Sequence, residues 1–205
     1  MILYCATTNP GKLAEFRLAI EKFGGGSTQI EPVADLAGIP ACEENGATFE
    51  ENAAEKAIYY SRHAPGVLFA DDSGLEVRAL GGAPGVYSAR FAGPGATDAA
   101  NNRLLLERLE GAEDRGAQFV CVVALAEKGR LLRTFRGVVE GRILAEPRGA
   151  NGFGYDPLFY YPAFGCAFGE VSAMRKLSVS HRAQALAAMA EYLLARTRSR
   201  ADQAG

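Results

Sequence analysis

The opening of the chain constrains the fold most. An apolar run, ILYC, passes through a short polar stretch, ATTNPGK, into LAEFRLAIEKF, where Leu13, Phe16, Ile20 and Phe23 fall at helical spacing. A strand, a tight loop and a helix carrying a lysine at its start form a natural phosphate cradle, because a helix N-terminus offers unpaired N–H groups and the positive end of its dipole. The stretch departs from the Walker P-loop, which requires glycine where Ala6 stands and a hydroxyl where Leu13 stands. Thr7, Thr8, Asn9 and Lys12 are candidate anion ligands; the alternative is that Asn9-Pro10-Gly11 is only a turn and Lys12 a solvated charge. Gly24, Gly25 and Gly26 then end the helical pattern with residues that tolerate a left-handed cap.

Further along, Thr48 and Glu51 have capping-box spacing, and the helix they open continues through Asn52, Ala53, Lys56, Ala57 and Tyr60. GVLFADD runs apolar into two carboxylates, a bend is predicted at Ser73-Gly74, and Leu75, Val77 and Ala79 alternate as in a strand. LGGAPGVYSARFAGPGAT is predicted to be a long loop, after which Thr97 and Asp98 open a helix with Leu104, Leu105 and Leu109 inward. AQFVCVVALA and LLRTFRGVVEG should pair antiparallel about Lys128-Gly129. GANGFGYDPLFYYP is a second glycine-rich, aromatic loop, and a final helix is predicted over residues 180–195, capped by Ser180, with RTRSRADQAG fraying behind it. This order predicts an α/β fold, a mixed sheet flanked by helices, in a single domain over residues 1–197 with a flexible tail at 198–205.

A chain of 205 residues, 48% apolar and 22% charged, can bury one substantial core, and its net charge of -2 gives no global attraction to nucleic acid or to an acidic membrane. Any polyanion must therefore be held by a local cluster. The apolar run in MILYCATTNP is too short for a signal peptide or a span and lacks a basic flank, so a cytoplasmic location is expected. Cys5, Cys42, Cys121 and Cys166 are widely spaced and only His63 and His181 accompany them, which argues for reduced thiols, mostly buried, and against a zinc site.

Two further constellations can carry chemistry. Asp71 and Asp72 end a run apolar enough to be a core strand, where an unpaired carboxylate pair would be costly and a divalent metal would relieve the cost. Glu43 and Glu44 are the best acidic pair elsewhere to add oxygen ligands, which suits Mg²⁺ better than Zn²⁺; solvated turn carboxylates are the alternative for both pairs. In Gly152-Phe153-Gly154-Tyr155-Asp156-Pro157 the glycines let backbone approach a flat ligand and the aromatic face can stack on a base, unless the segment is simply a buried aromatic turn. Lys176, His181 and Arg182 follow. The last two fall in a first helical turn, against the macrodipole, which points to an anion or an electron-rich acceptor nearby.

Taken in order, TTNPGK, EENGATFEENAAEKA, ADDSGLEV with GGAPGVYSAR, NGFGYDP, and K-x-x-x-SHR resemble the noncanonical purine nucleoside triphosphate pyrophosphatases, the inosine and xanthosine triphosphatases, from Thr7 to Arg182. The resemblance implies an elongated mixed sheet of the inosine triphosphate pyrophosphatase-like fold, a homodimer, and Mg²⁺-dependent cleavage of ITP, dITP and XTP to the monophosphate and pyrophosphate. By position, Thr7, Thr8, Asn9 and Lys12 match the triphosphate loop, Glu44 the metal-binding glutamate, and Asp72 the general base and metal-contacting aspartate. Ser73 matches a substrate contact; Phe153, Gly154, Tyr155 and Asp156 match the base-binding loop; Lys176, His181 and Arg182 match contacts around the purine and phosphates. Thr8 stands where many members have glycine, and Glu43 is a second metal-ligand candidate.

On this reading Asp72 activates a water for attack on the α-phosphorus, Lys12 holds the phosphate chain, and Arg182, which can only donate, favours a purine with an acceptor at its six position. Rival readings are a septum-inhibitor type pyrophosphatase, opposed by NGFGYDP and SHR, and a non-catalytic nucleotide sensor, opposed by the presence of both Asp72 and Glu44. RTRSR is too short a basic run on an acidic chain to predict a nucleic-acid module.

Overall fold

The computed structural model describes residues 1–24, 26 and 28–202, the side chains of 197–202 excepted. Seven strands form one sheet in the order β2-β1-β3-β4-β5-β6-β7. β1 (Ile2–Cys5) runs parallel to both β2 (Gln29–Pro32) and β3 (Leu68–Val77). β4 (Gly116–Glu127) and β5 (Arg130–Ile143) are neighbours joined by a two-residue turn, and β5, β6 (Phe159–Tyr161) and β7 (Cys166–Ala167) pair antiparallel. The mixed sheet with flanking helices predicted from the order of elements is what the chain forms.

Local chemistry sets most element ends. α1 (Pro10–Phe23) starts with proline at its first position, and the Asn9 side chain accepts from the Lys12 N–H at 3.0 Å. α2 (Phe49–Tyr60) has the full capping box: Thr48 Oγ1 accepts from Glu51 N–H, and Glu51 Oε2 accepts from the N–H groups of Thr48 and Ala47. α3 (Asp98–Arg108) is capped by Thr97. In the β4–β5 turn Lys128 and Gly129 both take positive φ, 51° and 79°, as a two-residue hairpin demands.

Three expectations are corrected and one is made specific. β3 does not bend at Ser73-Gly74 but runs unbroken through them as far as Val77, and the neighbouring β4 keeps the segment extended. The segment predicted as a long loop holds a 3₁₀ helix over Gly85–Arg90, fixed by Ser88, whose Oγ donates to Gly85 O and accepts from Leu75 N–H. Gly24 closes α1 with an ordinary φ of -79° and a hydrogen bond to Ile20 O, and of the glycines read as tolerating a left-handed cap it is Gly26, at φ 75°, that takes the left-handed conformation. Beyond the short helix α4 (Ala173–Leu177), the last helix, α5 (His181–Asp202), continues past residue 195; the tail expected at 198–205 is helical to Asp202, and residues 203–205 lie outside the described ones.

The chain divides into two compact units. The first holds Met1–Asp72, Cys121–Gly137 and the chain from Arg182 onward; in it Leu3, Phe16, Ile20, Leu68 and Phe69 are buried, and the rings of Phe16 and Phe69 meet edge-on at 4.9 Å. Cys5 and Cys121 are also buried there, and burial pushes both thiols up to about 12. Cys42 and Cys166 are half-buried, and all four cysteines are free. The second unit, Ser73–Val120 with Val138–His181, packs Leu75, Leu105, Phe119, Ile143, Phe159 and Phe168 into one core.

Candidate active site

In the first unit the end of the apolar part of β3 delivers two buried carboxylates to two different sets of cations. Successive strand residues point to opposite faces. Asp71 receives Lys12 from the first turn of α1, with Nζ 3.1 and 3.0 Å from its two oxygens, and Arg182 from the first turn of α5 at 3.5 Å. Arg182 also bonds Glu15 of α1. Burial works against ionising Asp71, but Lys12, Arg182 and Lys56 outweigh it and hold the carboxyl well below the usual range.

Asp72 faces α2. Its Oδ1 lies 2.9 Å from Lys56 Nζ, which also stands 3.0 Å from Glu44 Oε2, and its Oδ2 accepts from Asn52 Nδ2 at 3.2 Å. Asn52 and Lys56 are one helical turn apart, so both face the strand together. Burial raises the pKa of Asp72 more than Lys56 lowers it, leaving the carboxyl above its ordinary value. Burial likewise disfavours the Lys56 ammonium, yet Asp72, Asp71 and Glu44 prevail and its pKa is raised. A poised carboxylate fixed by an amide and an ammonium is a competent proton acceptor.

Lys56 and Asn52 are assigned no role by the motifs alone. Their signal was present: two polar side chains at helical spacing, each followed by alanine, on a capped helix leading to the acidic pair. Glu43, by contrast, is exposed and accepts from Asn45 Nδ2 at 3.1 Å, while Glu44 alone turns to Lys56. In the loop before α1, Thr7 Oγ1 accepts from Asn9 N–H at 3.2 Å and Thr8 is exposed. The acceptor expected near Arg182 is a pair of protein carboxylates, Glu15 and Asp71.

The second unit gathers Phe153, Gly154, Tyr155, Asp156, Lys176 and His181. Asp156 is buried, and its Oδ2 accepts from Phe153 N–H at 3.0 Å and from Lys176 Nζ at 2.6 Å. That ammonium also stands 4.9 Å from the Phe153 ring centre. Tyr155 donates its hydroxyl to Ser88 O at 2.8 Å, and burial, with Asp98 adding, pushes its pKa up. His181 stacks on Phe119 at 4.8 Å between ring centres. Gly152 has φ 77°, and a Cβ there would lie 2.1 Å from Asp156 Oδ2, so only glycine admits this turn. Ser73, half-buried on β3, belongs to this unit as well.

The sequence profile of the Ham1 family matches residues 3–192. The dITP/XTP pyrophosphatase of Syntrophobacter fumaroxidans is 51% identical over 185 residues, 90% of this chain and 78% of that protein. That of Acidobacterium capsulatum is 48% identical over 195 residues, 91% of this chain and 95% of that protein. Among solved structures, a HAM1 protein from Coxiella burnetii superposes with a TM-score of 0.83 at 41% identity, covering 95% of this chain and 98% of its own. The Staphylococcus aureus Ham1 protein has a TM-score of 0.83 at 37% identity, covering 96% and 100%. With a profile match over nearly its whole length, and relatives of about half its residues in common, the chain belongs to the Ham1 family.

Proposed function

We propose that this chain hydrolyses noncanonical purine nucleoside triphosphates, ITP, dITP and XTP, to the monophosphate and pyrophosphate, and so keeps deaminated purines out of nucleic acid. The names of its relatives support the reaction, and one observation carries it to these residues: Glu44 and Asp72 each set a carboxylate oxygen within 3.0 Å of one cationic point, the Lys56 nitrogen. Two hard oxygen donors converging on a cation fit Mg²⁺, which binds through one or two carboxylates and takes the rest of its shell from phosphate and water. Among the described residues no group of three or more His, Cys, Asp or Glu gathers to hold a metal alone. Bound there, Mg²⁺ would neutralise charge on the phosphate oxygens.

The protein's own groups do the rest. Asp72, fixed by Asn52 and raised in pKa, takes the proton of the attacking water. An ammonium has three donors, so Lys12 can keep its hold on Asp71 and still present an N–H to a phosphate oxygen at the N-terminus of α1. Phe153, Asp156 and Lys176 are assigned to the base by the family resemblance. The same resemblance supports a homodimer; no helix among the described residues is long and apolar enough to cross a membrane. The test is an assay of purified protein with Mg²⁺ against ITP, XTP, GTP and ATP, measuring pyrophosphate and orthophosphate separately. Pyrophosphate from ITP and XTP is expected, and orthophosphate alone would overturn the reading.

A further inference from the structure

The loop that carries Phe153 is held by α3 at one residue. Gly154 N–H donates to Asp98 Oδ2 at 2.6 Å, and Gly154 O accepts from Asn102 Nδ2 at 3.0 Å. Both backbone polar groups of a single residue are thus taken by two side chains one helical turn apart on the same face. Gly154 sits at φ 62° with nothing within 4 Å of where a Cβ would be, so crowding does not impose its left-handed conformation. On this side the loop and α3 line a cavity of about 480 Å³, bordered by Asp98, Asn102, Leu106, Gly152, Phe153 and Gly154. A glycine free to adopt several conformations is therefore held in one by two hydrogen bonds of opposite polarity.

The helix does not need these side chains for its own start. Thr97 already caps α3, accepting from Ala100 N–H at 3.2 Å. Asp98 gains something from the helix dipole, but Asn102, in the second turn, gains nothing from it. What the pair does control is the residue between Phe153 and Tyr155. Phe153 N–H is fixed by Asp156 and the Tyr155 hydroxyl by Ser88, so Gly154 is the joint through which the Phe153 ring would swing.

We propose that Asp98 and Asn102 are positioning residues that preset the Phe153 ring as a platform for the purine, a role that rests on the function proposed above. Neither touches the reacting atoms, so they act on recognition of the base and not on the hydrolytic step. The two side chains also predict opposite responses to near-isosteric change. Asp98→Asn keeps an oxygen that accepts from Gly154 N–H, whereas Asn102→Asp sets a carboxylate against the Gly154 carbonyl, acceptor facing acceptor.

The experiment is steady-state kinetics with ITP and Mg²⁺ on wild type, Asp98→Ala, Asp98→Asn, Asn102→Ala and Asn102→Asp, together with hydrogen exchange of the peptide containing Gly154. Asp98→Ala and Asn102→Ala should each raise KM about tenfold while kcat stays within about twofold, and exchange at Gly154 should accelerate in Asp98→Ala. Asp98→Asn should restore KM to near the wild-type value, and Asn102→Asp should do no better than Asn102→Ala. Unchanged KM in the alanine variants, or an Asp98→Asn variant as impaired as Asp98→Ala, would overturn the proposal. A wild-type protein that leaves every triphosphate intact would overturn the function instead, and exchange at Gly154 would still show whether the clamp holds; exchange equal in wild type and Asp98→Ala would remove the clamp itself.

Discussion

Asp71 and Asp72 are adjacent on β3 and carry opposite shifts: the first carboxyl is held below its ordinary pKa and the second is raised. Burial raises both. Lys12, Arg182 and Lys56 together reverse its effect at Asp71, whereas at Asp72 burial outweighs Lys56 and Lys12. One strand end therefore holds a permanent anion that organises cations beside a group able to exchange a proton, a division of labour between paired carboxyls.

Replacing Asp72 with asparagine keeps the shape and the bond to Asn52 but removes the proton acceptor. We expect kcat for ITP to fall by about 10²–10⁴-fold with KM changed only a few-fold, measured by pyrophosphate release at saturating Mg²⁺. A variant as fast as wild type would move the base elsewhere.

Asp71 makes an acid-stability prediction. Its folded pKa is depressed, so the unfolded chain takes up the proton first: the stability it contributes is complete above the unfolded value, about 3.9, and is lost as pH falls through the folded value. Urea unfolding of the wild type should lose up to about 1.4 kcal/mol per pH unit below that point from this group. Asp71→Asn should be less stable at pH 7 and show a flatter profile in acid. Parallel profiles for the two proteins would mean that Asp71 is not the group responsible.

Lys56 holds two carboxylates apart, and Lys56→Met leaves them facing each other. Loss of one partner of a fully buried pair costs about 3–5 kcal/mol, and partial exposure of Glu44 reduces that here to about 1–3 kcal/mol. Mg²⁺ should restore part of the loss, raising the melting temperature of the variant more than that of wild type in thermal denaturation at pH 7. Equal Mg²⁺ shifts in the two proteins would separate Glu44 and Asp72 from the metal.

Gly152→Ala should damage the base loop. The residue has φ 77°, and the added Cβ meets a buried carboxylate at 2.1 Å. Backbone strain and displacement of Asp156 together suggest a loss of about 2–3 kcal/mol, or about 5–10 °C in melting temperature for a chain of this size, with a rise in KM for ITP. Calorimetry and kinetics check the two effects separately.

Features written in neighbouring residues were legible in the sequence. The capping box of Thr48 and Glu51, the Thr97 cap and the Lys128-Gly129 turn depend on groups within four positions of one another, and each formed as expected. The candidate site was legible as residue types and family motifs, but its partnerships were not. Arg182 meets Glu15 across 167 positions, and Lys56 meets Asp72 only because α2 turns that one face toward β3. Ser73-Gly74 reads locally as a bend and is kept straight by the strand beside it, a constraint that no short window of sequence contains.

The two deeply placed thiols have a use of their own. Cys5 and Cys121 are fully enclosed, with pKa values of about 12, so at neutral pH neither offers the thiolate that alkylating reagents need. Both become reactive only when the first unit opens, which makes the native chain its own timer: the rate at which a thiol reagent reaches these two positions reports how often that core is breached, without any introduced label.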